Sequence, residues 1–337
     1  MSKIKIGVLC PSEIAFRRFM PALKTLDNFS YVGLSAATER EFSGADSDAV
    51  RASEWEKAEK FAAEYGGKVF SGYETLISSE EIDAVYIPLP PALHFKWAKK
   101  ALESGKHVLL EKPFTASLSH TKELISIAES KGLAVHENYM FAYHTQLDWV
   151  RRQIEDGVIG DLRLIRIDFG FPFRGANDFR YCKALGGGAL LDCGGYTLKL
   201  ASMLLGDTAR VTESQLCGKE GFEVDIYGSA TLKNSNGLTA QVSFGMDNSY
   251  RCSLDIWGST GSIYTNRILT APAGYNPVMT IRNAEGEKTI ELPPDDTFRK
   301  SIAAFGECIS DSGKRAEKYS EITDQSSLLE NVLKGKE

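Results

Sequence analysis

Asp83–Thr115 reads DAVYIPLPPALHFKWAKKALESGKHVLLEKPFT. Residues 83–87 (DAVYI) form a short apolar run of the kind required by a strand covered on both faces. Residues 93–104 carry good helix formers and stop at Gly105, and residues 107–110 (HVLL) form a second apolar run. Strand, helix and strand in so short a span predict a βαβ unit with parallel strands. The alternation continues upstream: a strand at residues 3–9 (KIKIGVL), a helix with apolar positions at Ile14, Phe16, Met20, Leu23 and Leu26, and a strand at 31–37. A helix then follows at 54–65 (EWEKAEKFAAEY), ended by Gly66-Gly67. Downstream come a helix over 117–131, a stop at Gly132 and a strand at 133–136. This is the signature of a doubly wound parallel sheet, which binds ligands beyond the carboxyl ends of its strands.

From about Leu162 the texture changes. Residues 163–171 (RLIRIDFGF), 210–217 (RVTESQLC), 223–233 (EVDIYGSATLK), 238–246 (LTAQVSFGM) and 251–258 (RCSLDIWG) alternate apolar and polar positions. Asn234-Ser-Asn-Gly237 and Gly258–Gly261 (GSTG) supply turns. Helices are expected at 192–205, 298–310 and 323–334. The fold class is therefore α/β: an N-terminal Rossmann dinucleotide-binding domain over 1–140, and a C-terminal α+β domain over 141–337 with a large open, mainly antiparallel sheet. The final helices are assignable to either domain. Residues 39–53 (EREFSGADSDAVRAS) are poor in apolar side chains and read as an insertion-like loop.

The chain has 337 residues, 39 basic and 45 acidic, for a net charge of −6; 43% of residues are hydrophobic. That excludes a disordered chain, and the mild acidity argues against nucleic acid as a partner. No apolar run approaches the roughly 20 residues needed to cross a bilayer. The first strand begins at once, without signal-peptide architecture. The six cysteines form no CxxC pair and the five histidines no HxxxH spacing, so reduced thiols, a cytoplasmic location and no metal site are expected.

The turn after the first strand tests dinucleotide binding. It runs Gly7-Val-Leu-Cys10-Pro-Ser12-Glu-Ile-Ala15, where a dinucleotide fold prefers GxGxxG/A. Cys10 and Ser12 replace two glycines, and Ala15 fits the third place. Both replacements are small, and Ser12 can cap the helix and reach a phosphate; Arg17 and Arg18 add positive charge. An ordinary β–α turn with a Ser cap explains the same residues equally well. After the second strand, Thr38 and Arg40 suit a 2′-phosphate, whereas Glu39 suits a ribose diol. The balance leans to NADP over NAD.

The stretch 83–115 closely resembles the glucose–fructose oxidoreductase / inositol dehydrogenase (Gfo/Idh/MocA) family. It carries the P-x-x-x-H turn at Pro90–His94, G-K-H-V at Gly105–Val108 and the signature Glu111-Lys112-Pro113. A second block, Asn177–Arg180 followed by Leu185–Tyr196 (LGGGALLDCGGY), matches the family's GGGxxxDxGxH with Tyr196 in the histidine position. That variant is similar to the branch with xylose dehydrogenase and dihydrodiol dehydrogenase. Asn138–His144 (NYMFAYH) resembles the family's link between domains.

The resemblance implies hydride transfer between nicotinamide and a sugar, polyol or related secondary alcohol or ketone. It implies Lys112, Tyr196 and Asp192 as the catalytic set. Tyrosine needs help to titrate near neutrality, and a nearby lysine gives it. Asp192 lies four residues before Tyr196, which on an α-helix would stack them on one face. The implied cofactor residues are Ser12, Glu13, Ile14, Ala15, Thr38, Arg40, Leu89, Pro90, His94, Glu111 and Lys112. Arg180, Asp192 and Tyr196 are the implied substrate contacts, and Pro113 is a candidate cis proline. The four tryptophans read as packing residues. A homodimer or homotetramer paired through the C-terminal sheet is expected, since an open sheet face should expose apolar surface. Two competing readings are a catalytically silent dinucleotide-binding scaffold or sensor and an NAD-dependent glycoside hydrolase of the same fold.

Overall fold

The computed structural model describes residues 2–42 and 47–335. The chain divides into two compact units, Met1–Asn138 with Phe298–Thr323, and Tyr139–Thr297 with Asp324–Glu337.

The first unit is built on six strands: β1 (Ile4–Val8), β2 (Phe29–Ala36), β3 (Lys68–Ser71), β4 (Ala84–Ile87), β5 (His107–Leu110) and β6 (Val135–Glu137). Their order is β3-β2-β1-β4-β5-β6 and every pairing is parallel. The order reverses beside β1, which opens the crevice at the carboxyl ends of β1 and β4. The covering helices are α1 (Met20–Leu23), entered through a π-helical turn at Ala15–Phe19, then α2 (Ser47–Tyr65), α3 (Tyr73–Ser78), α4 (Pro91–Glu103) and α5 (Leu118–Lys131). Helix α5 has both expected ends. Ser117 Oγ accepts from His120 N, and Gly132 closes it at φ 64°. The core between sheet and helices includes Leu9, Val85, Ile87, Trp97, Val108, Leu110 and Leu124.

Two readings of this region change. Residues 47–53 belong to α2, not to a loop; 39–42 form a turn, and 43–46 lie outside the described residues. The second part of α2, 54–65, is the helix expected there; the start was illegible because of residues 47–53 only Ser47 is buried, which leaves no apolar stripe. The short β3 and α3 were also not anticipated.

The second unit contains α6 (Thr145–Glu155), β7 (Leu162–Gly170), α7 (Gly195–Leu205), β8 (Arg210–Cys217), β9 (Tyr227–Lys233), β10 (Thr239–Gly245), β11 (Arg251–Gly258), β12 (Gly261–Thr265), β13 (Val278–Asn283) and β14 (Gly286–Glu291). These strands form one sheet, β14-β13-β12-β11-β7-β10-β9-β8, antiparallel except where β7 meets β10. One face buries Ile165, Ile167, Phe169, Val242, Phe244 and Leu254 together with Leu198 and Leu200 of α7. The chain closes with α8 (Thr297–Ser310) and α9 (Ser312–Lys334).

The opposite face of this sheet differs from expectation. Along its middle, Asp168 accepts from Ser253 Oγ at 3.2 Å and from Ser243, and Arg166 donates to Gln241 at 3.3 Å. The exposed large hydrophobics on it are Tyr227, Trp257, Tyr264 and Val278 among the described residues, with Trp257 56% exposed. The face is a polar ladder with scattered aromatics, not the apolar surface expected of an open sheet. Trp257 is correspondingly not a packing residue.

Candidate functional site

At the first turn, Ser12 Oγ accepts from Ala15 N at 3.2 Å, as an N-cap does, and Phe16 N donates to Ser12 O. The amides of Glu13 and Ile14 then have no acceptor among the described residues, which leaves two N–H donors at a helix start. A cavity of about 500 Å³ opens beside this turn, lined by Cys10, Ser12 and Glu13 and by Val50, Glu54 and Lys57 of α2. The donor set suits a pyrophosphate even without the glycines. Arg17 takes no part in it: exposed, it pairs with Glu13 at 2.8 Å.

The loop after β2 is held by two carboxylates. Glu41 accepts from Thr38 N (2.8 Å), Thr38 Oγ1 (2.6 Å) and Tyr73 N (3.1 Å). Glu54 accepts from Ala37 N and Tyr73 OH, both at 2.8 Å, and its carboxyl is raised by desolvation against the lowering effect of those bonds. Burial likewise pushes up the Cys10 thiol. The Thr38 side chain thus has an internal partner. Arg40 instead stands in solvent, its side chain 83% exposed and 3.9 Å from Glu74. Glu39 is also exposed and lies 3.9 Å from Arg51.

At the carboxyl ends of β4, β5 and β6, three adjacent strands bring Tyr86, Glu111 and Asn138 together. Glu111 Oε1 accepts from Tyr86 OH at 2.6 Å and from Asn138 Nδ2 at 2.7 Å. Asn138 Oδ1 in turn accepts from Ser301 Oγ of α8 at 2.8 Å. Neither Tyr86 nor Ser301 was anticipated, because only strand register and chain return bring them to Glu111. Lys112 follows directly, and the Lys112–Pro113 peptide is cis.

His94 corrects its expected role. It is fully buried, with Nδ1 2.8 Å from Pro113 O and Nε2 2.6 Å from Leu89 O. It ties the segment after β4 to the Glu111-Lys112-Pro113 segment and presents no surface to a cofactor. Desolvation lowers its pKa to about 4, over the opposing effect of the two carbonyls, with Lys112's charge lowering it further. Leu89 is nearly buried, and Pro90 precedes α4 as its cap residue.

In the second unit, Arg180 Nε donates to Asp192 Oδ2 at 2.8 Å, and its NH1 to Asp178 Oδ1 at 3.1 Å. The expected stacking of Asp192 under Tyr196 is also revised, because Leu190–Gly194 is a π-helical turn and α7 begins only at Gly195. Asp225 Oδ2 accepts from Leu190 N at 2.6 Å and caps this turn. The glycine run before it has a steric cause. A Cβ on Gly187 would lie 2.3 Å from Arg180 O, and Gly188 has φ +127°. Tyr196 is 7% exposed, ringed by Tyr139 (5.2 Å between centroids), Phe141 (5.7 Å) and Phe169 (5.3 Å). Its hydroxyl lies 3.8 Å from Met140 Sδ. A Cβ at Gly195 would sit 2.1 Å from Tyr139 OH, so glycine there admits the ring that packs on Tyr196. His144 is a helix cap: its Nδ1 accepts from Gln146 N at 3.1 Å.

A parallel sheet in this order and a helix start with free amides are the architecture of a dinucleotide-binding protein, here joined to a second unit with an open, mainly antiparallel sheet. Comparison with known proteins agrees. Residues 30–139 match the model of the Gfo/Idh/MocA oxidoreductase family, NAD-binding Rossmann fold, and residues 148–264 match the family's C-terminal domain. A dTDP-3,4-didehydro-2,6-dideoxy-alpha-D-glucose 3-reductase from Actinomadura kijaniata is 36% identical over 98% of this chain and 95% of its own. One of the same name from Streptomyces violaceoruber is 39% identical over 93% of this chain and 87% of its own. A D-xylose 1-dehydrogenase (NADP(+)) of Haloferax volcanii is 29% identical over 71% of this chain and 74% of its own. The crystal structure of KijD10, a 3-ketoreductase from Actinomadura kijaniata in complex with NADP and TDP-benzene, superimposes with a TM-score of 0.90 at 35% identity, covering 99% of this chain and 98% of that one. The chain belongs to the Gfo/Idh/MocA family and is an NAD(P)-dependent oxidoreductase acting on CH–OH groups.

Proposed function

We propose that this protein is an NADP(H)-dependent reductase of a keto sugar carried on a nucleoside diphosphate, with Lys112 and Tyr196 handling the proton. The observation that carries this reading is the whole-length likeness to reductases of dTDP-linked keto sugars, at up to 39% identity over 93% of the chain. Structures of KijD10 with one tyrosine or one lysine replaced are among its neighbours, and those two positions are as far apart in sequence as Lys112 and Tyr196. NADP is favoured by KijD10's bound cofactor and by Arg40, the exposed cation after β2.

The residues present fit this dinucleotide. The amides of Glu13 and Ile14 and the Ser12 cap receive the pyrophosphate, and Arg40 the 2′-phosphate. Bound NADP(H) supplies or accepts the hydride. The Lys112 ammonium donates to the substrate oxygen and stabilises the negative charge that develops there. The Tyr196 hydroxyl gives the proton to that oxygen in reduction and takes it back in oxidation. Asp192 acts by holding Arg180, and the pair shapes the substrate side of the second unit. Glu111, fixed by Tyr86 and Asn138, orients the start of the Lys112 segment. Pairing of the second sheet into a homo-oligomer belongs to this reading, through Tyr227, Trp257 and Tyr264 set in the polar ladder.

The test is steady-state and stopped-flow reduction of dTDP-linked keto sugars, compared with free aldoses and polyols, using NADPH and NADH. Lys112→Ala and Tyr196→Phe should each lower turnover by roughly 10²–10⁴-fold while NADPH binding persists. Wild-type-like turnover in both variants would remove the assignment, and activity on free sugars alone would remove the substrate class.

A further inference from the structure

Arg267 lies in the second unit, between β12 and β13, and its side chain makes no hydrogen bond or ion pair among the described residues. Its Nε is buried with no partner. The guanidinium sits between two rings, 5.3 Å from the centroid of Tyr250 and 5.7 Å from that of Tyr275. Tyr250 is 45% exposed, and its hydroxyl lies 3.1 Å from Thr270 Oγ1, so the cluster opens to solvent on one side. The segment is anchored from behind: Gln146 Nε2 of α6 donates to Arg267 O (3.4 Å) and Ile268 O (3.1 Å), and Ile268 N donates to Cys252 O. A buried polar hydrogen without an acceptor is destabilising, and a guanidinium is built to give two parallel hydrogen bonds to a planar or phosphoryl anion.

Strand register places Tyr250, the ring under Arg267, one residue beyond the β11–β7 ladder whose Phe169 packs on Tyr196. Cys252 pairs with Phe169, and Arg251 with Gly170, at the carboxyl end of β7. Phe169 touches the Tyr196 ring. Tyr250 and Phe171 are the residues that follow that last pair. Over Phe171 lies a second guanidinium, that of Arg174, at 4.5 Å. Arg174 is exposed and also has no carboxylate partner among the described residues. Two arginines whose side chains have no carboxylate partner among the described residues, each seated on an aromatic ring, thus stand beside the residues that follow the last β7–β11 pair.

We propose that Arg267, held between Tyr250 and Tyr275 and assisted by Arg174, is the subsite for the phosphoryl groups of a nucleoside-diphosphate sugar. Each guanidinium offers a fork of N–H donors to one phosphoryl group, and Tyr250 backs the fork by cation–π attraction. The inference rests on the reading of the substrate given above.

Calorimetric titration of the full-length protein tests it, with dTDP, inorganic pyrophosphate and NADPH as probes. Arg267→Ala should weaken dTDP at least tenfold and leave NADPH binding within twofold. Arg267→Lys, which keeps charge but loses the fork, should fall between. Pyrophosphate competing with dTDP in the wild type but not in Arg267→Ala supports phosphoryl recognition over base stacking. If the wild type binds dTDP and Arg267→Ala binds it equally well, this subsite is overturned while the substrate reading stands. If the wild type binds neither dTDP nor pyrophosphate, both fall. Thermal denaturation of each variant, and Arg267→Met as a replacement of similar length, separate loss of binding from loss of fold.

Discussion

At the scale of single residues, the chemistry depends on partners that spacing does not disclose. Lys112 was legible in the sequence because it sits inside a recognisable block. What fixes Glu111 beside it was not, because Tyr86 and Asn138 are distant in sequence and meet it only through strand register. Arg180 and Asp192, twelve residues apart, were each expected to face substrate, and they are paired with each other. His94 shows the reverse error: a family position that is entirely internal. Arg40 yields the sharpest residue-scale prediction. Arg40→Ala should raise the KM for NADPH roughly tenfold, the loss of one charge-assisted contact, and leave the KM for NADH nearly unchanged. Initial-rate measurements with both cofactors check this; equal effects on both would remove Arg40 from the 2′-phosphate site.

At the scale of elements, caps and turns decide where helices begin. Ser117 and Gly132 were readable as the ends of α5 because capping is local. The segment leading into α7 was not, because its first turn is capped from a distant loop. Asp225 accepts from Leu190 N, and burial raises its carboxyl above the usual range while the backbone donors lower it. Asp225→Ala should therefore destabilise the protein by about 1–3 kcal/mol, the cost of an unsatisfied buried donor, and reduce activity by disturbing Tyr196. Urea denaturation monitored by circular dichroism gives the first number, and an unchanged midpoint would refute it. Strand β14, at the edge of the second sheet, escaped the sequence reading for a related reason. An exposed edge has no buried face, so β14 shows almost no apolar alternation.

At the scale of the whole molecule, two imidazoles make stability depend on pH. His94 and His107 both have pKa values lowered to about 4, chiefly by desolvation, with Arg315 adding to the effect at His107. His107 Nδ1 accepts from Ala134 N at 2.9 Å, which requires the unprotonated nitrogen. In the unfolded chain both rings titrate near 6.5. The stability that His107 contributes is fully present above pH 6.5 and is lost as the pH falls to 4, by an amount on the order of 2–3 kcal/mol; at His94 two carbonyl acceptors favour the protonated ring and offset part of that loss. Denaturant midpoints measured between pH 7.5 and 4.5 should decline along that window. His107→Gln should flatten the decline, and an unaltered slope would contradict the assignment. Association is the second question at this scale. Trp257→Glu should convert any dimer or tetramer into smaller species in sedimentation velocity runs, because it sets a charge at an exposed aromatic of the open sheet face.

The sequence by itself determined the parallel Rossmann sheet, the change to alternating strands after Leu162, and the Glu111-Lys112-Pro113 and glycine-run blocks. Those features are local: buried parallel strands are apolar throughout, caps act within four residues, and glycines are demanded by backbone clashes nearby. The tertiary structure alone decided which carboxylates hold Thr38, that Arg180 is paired with Asp192, that His94 faces carbonyls, and that Arg267 has no counter-ion among the described residues. Side-chain partners are set by strand register and by the return of the chain, and a linear pattern of residue types contains neither.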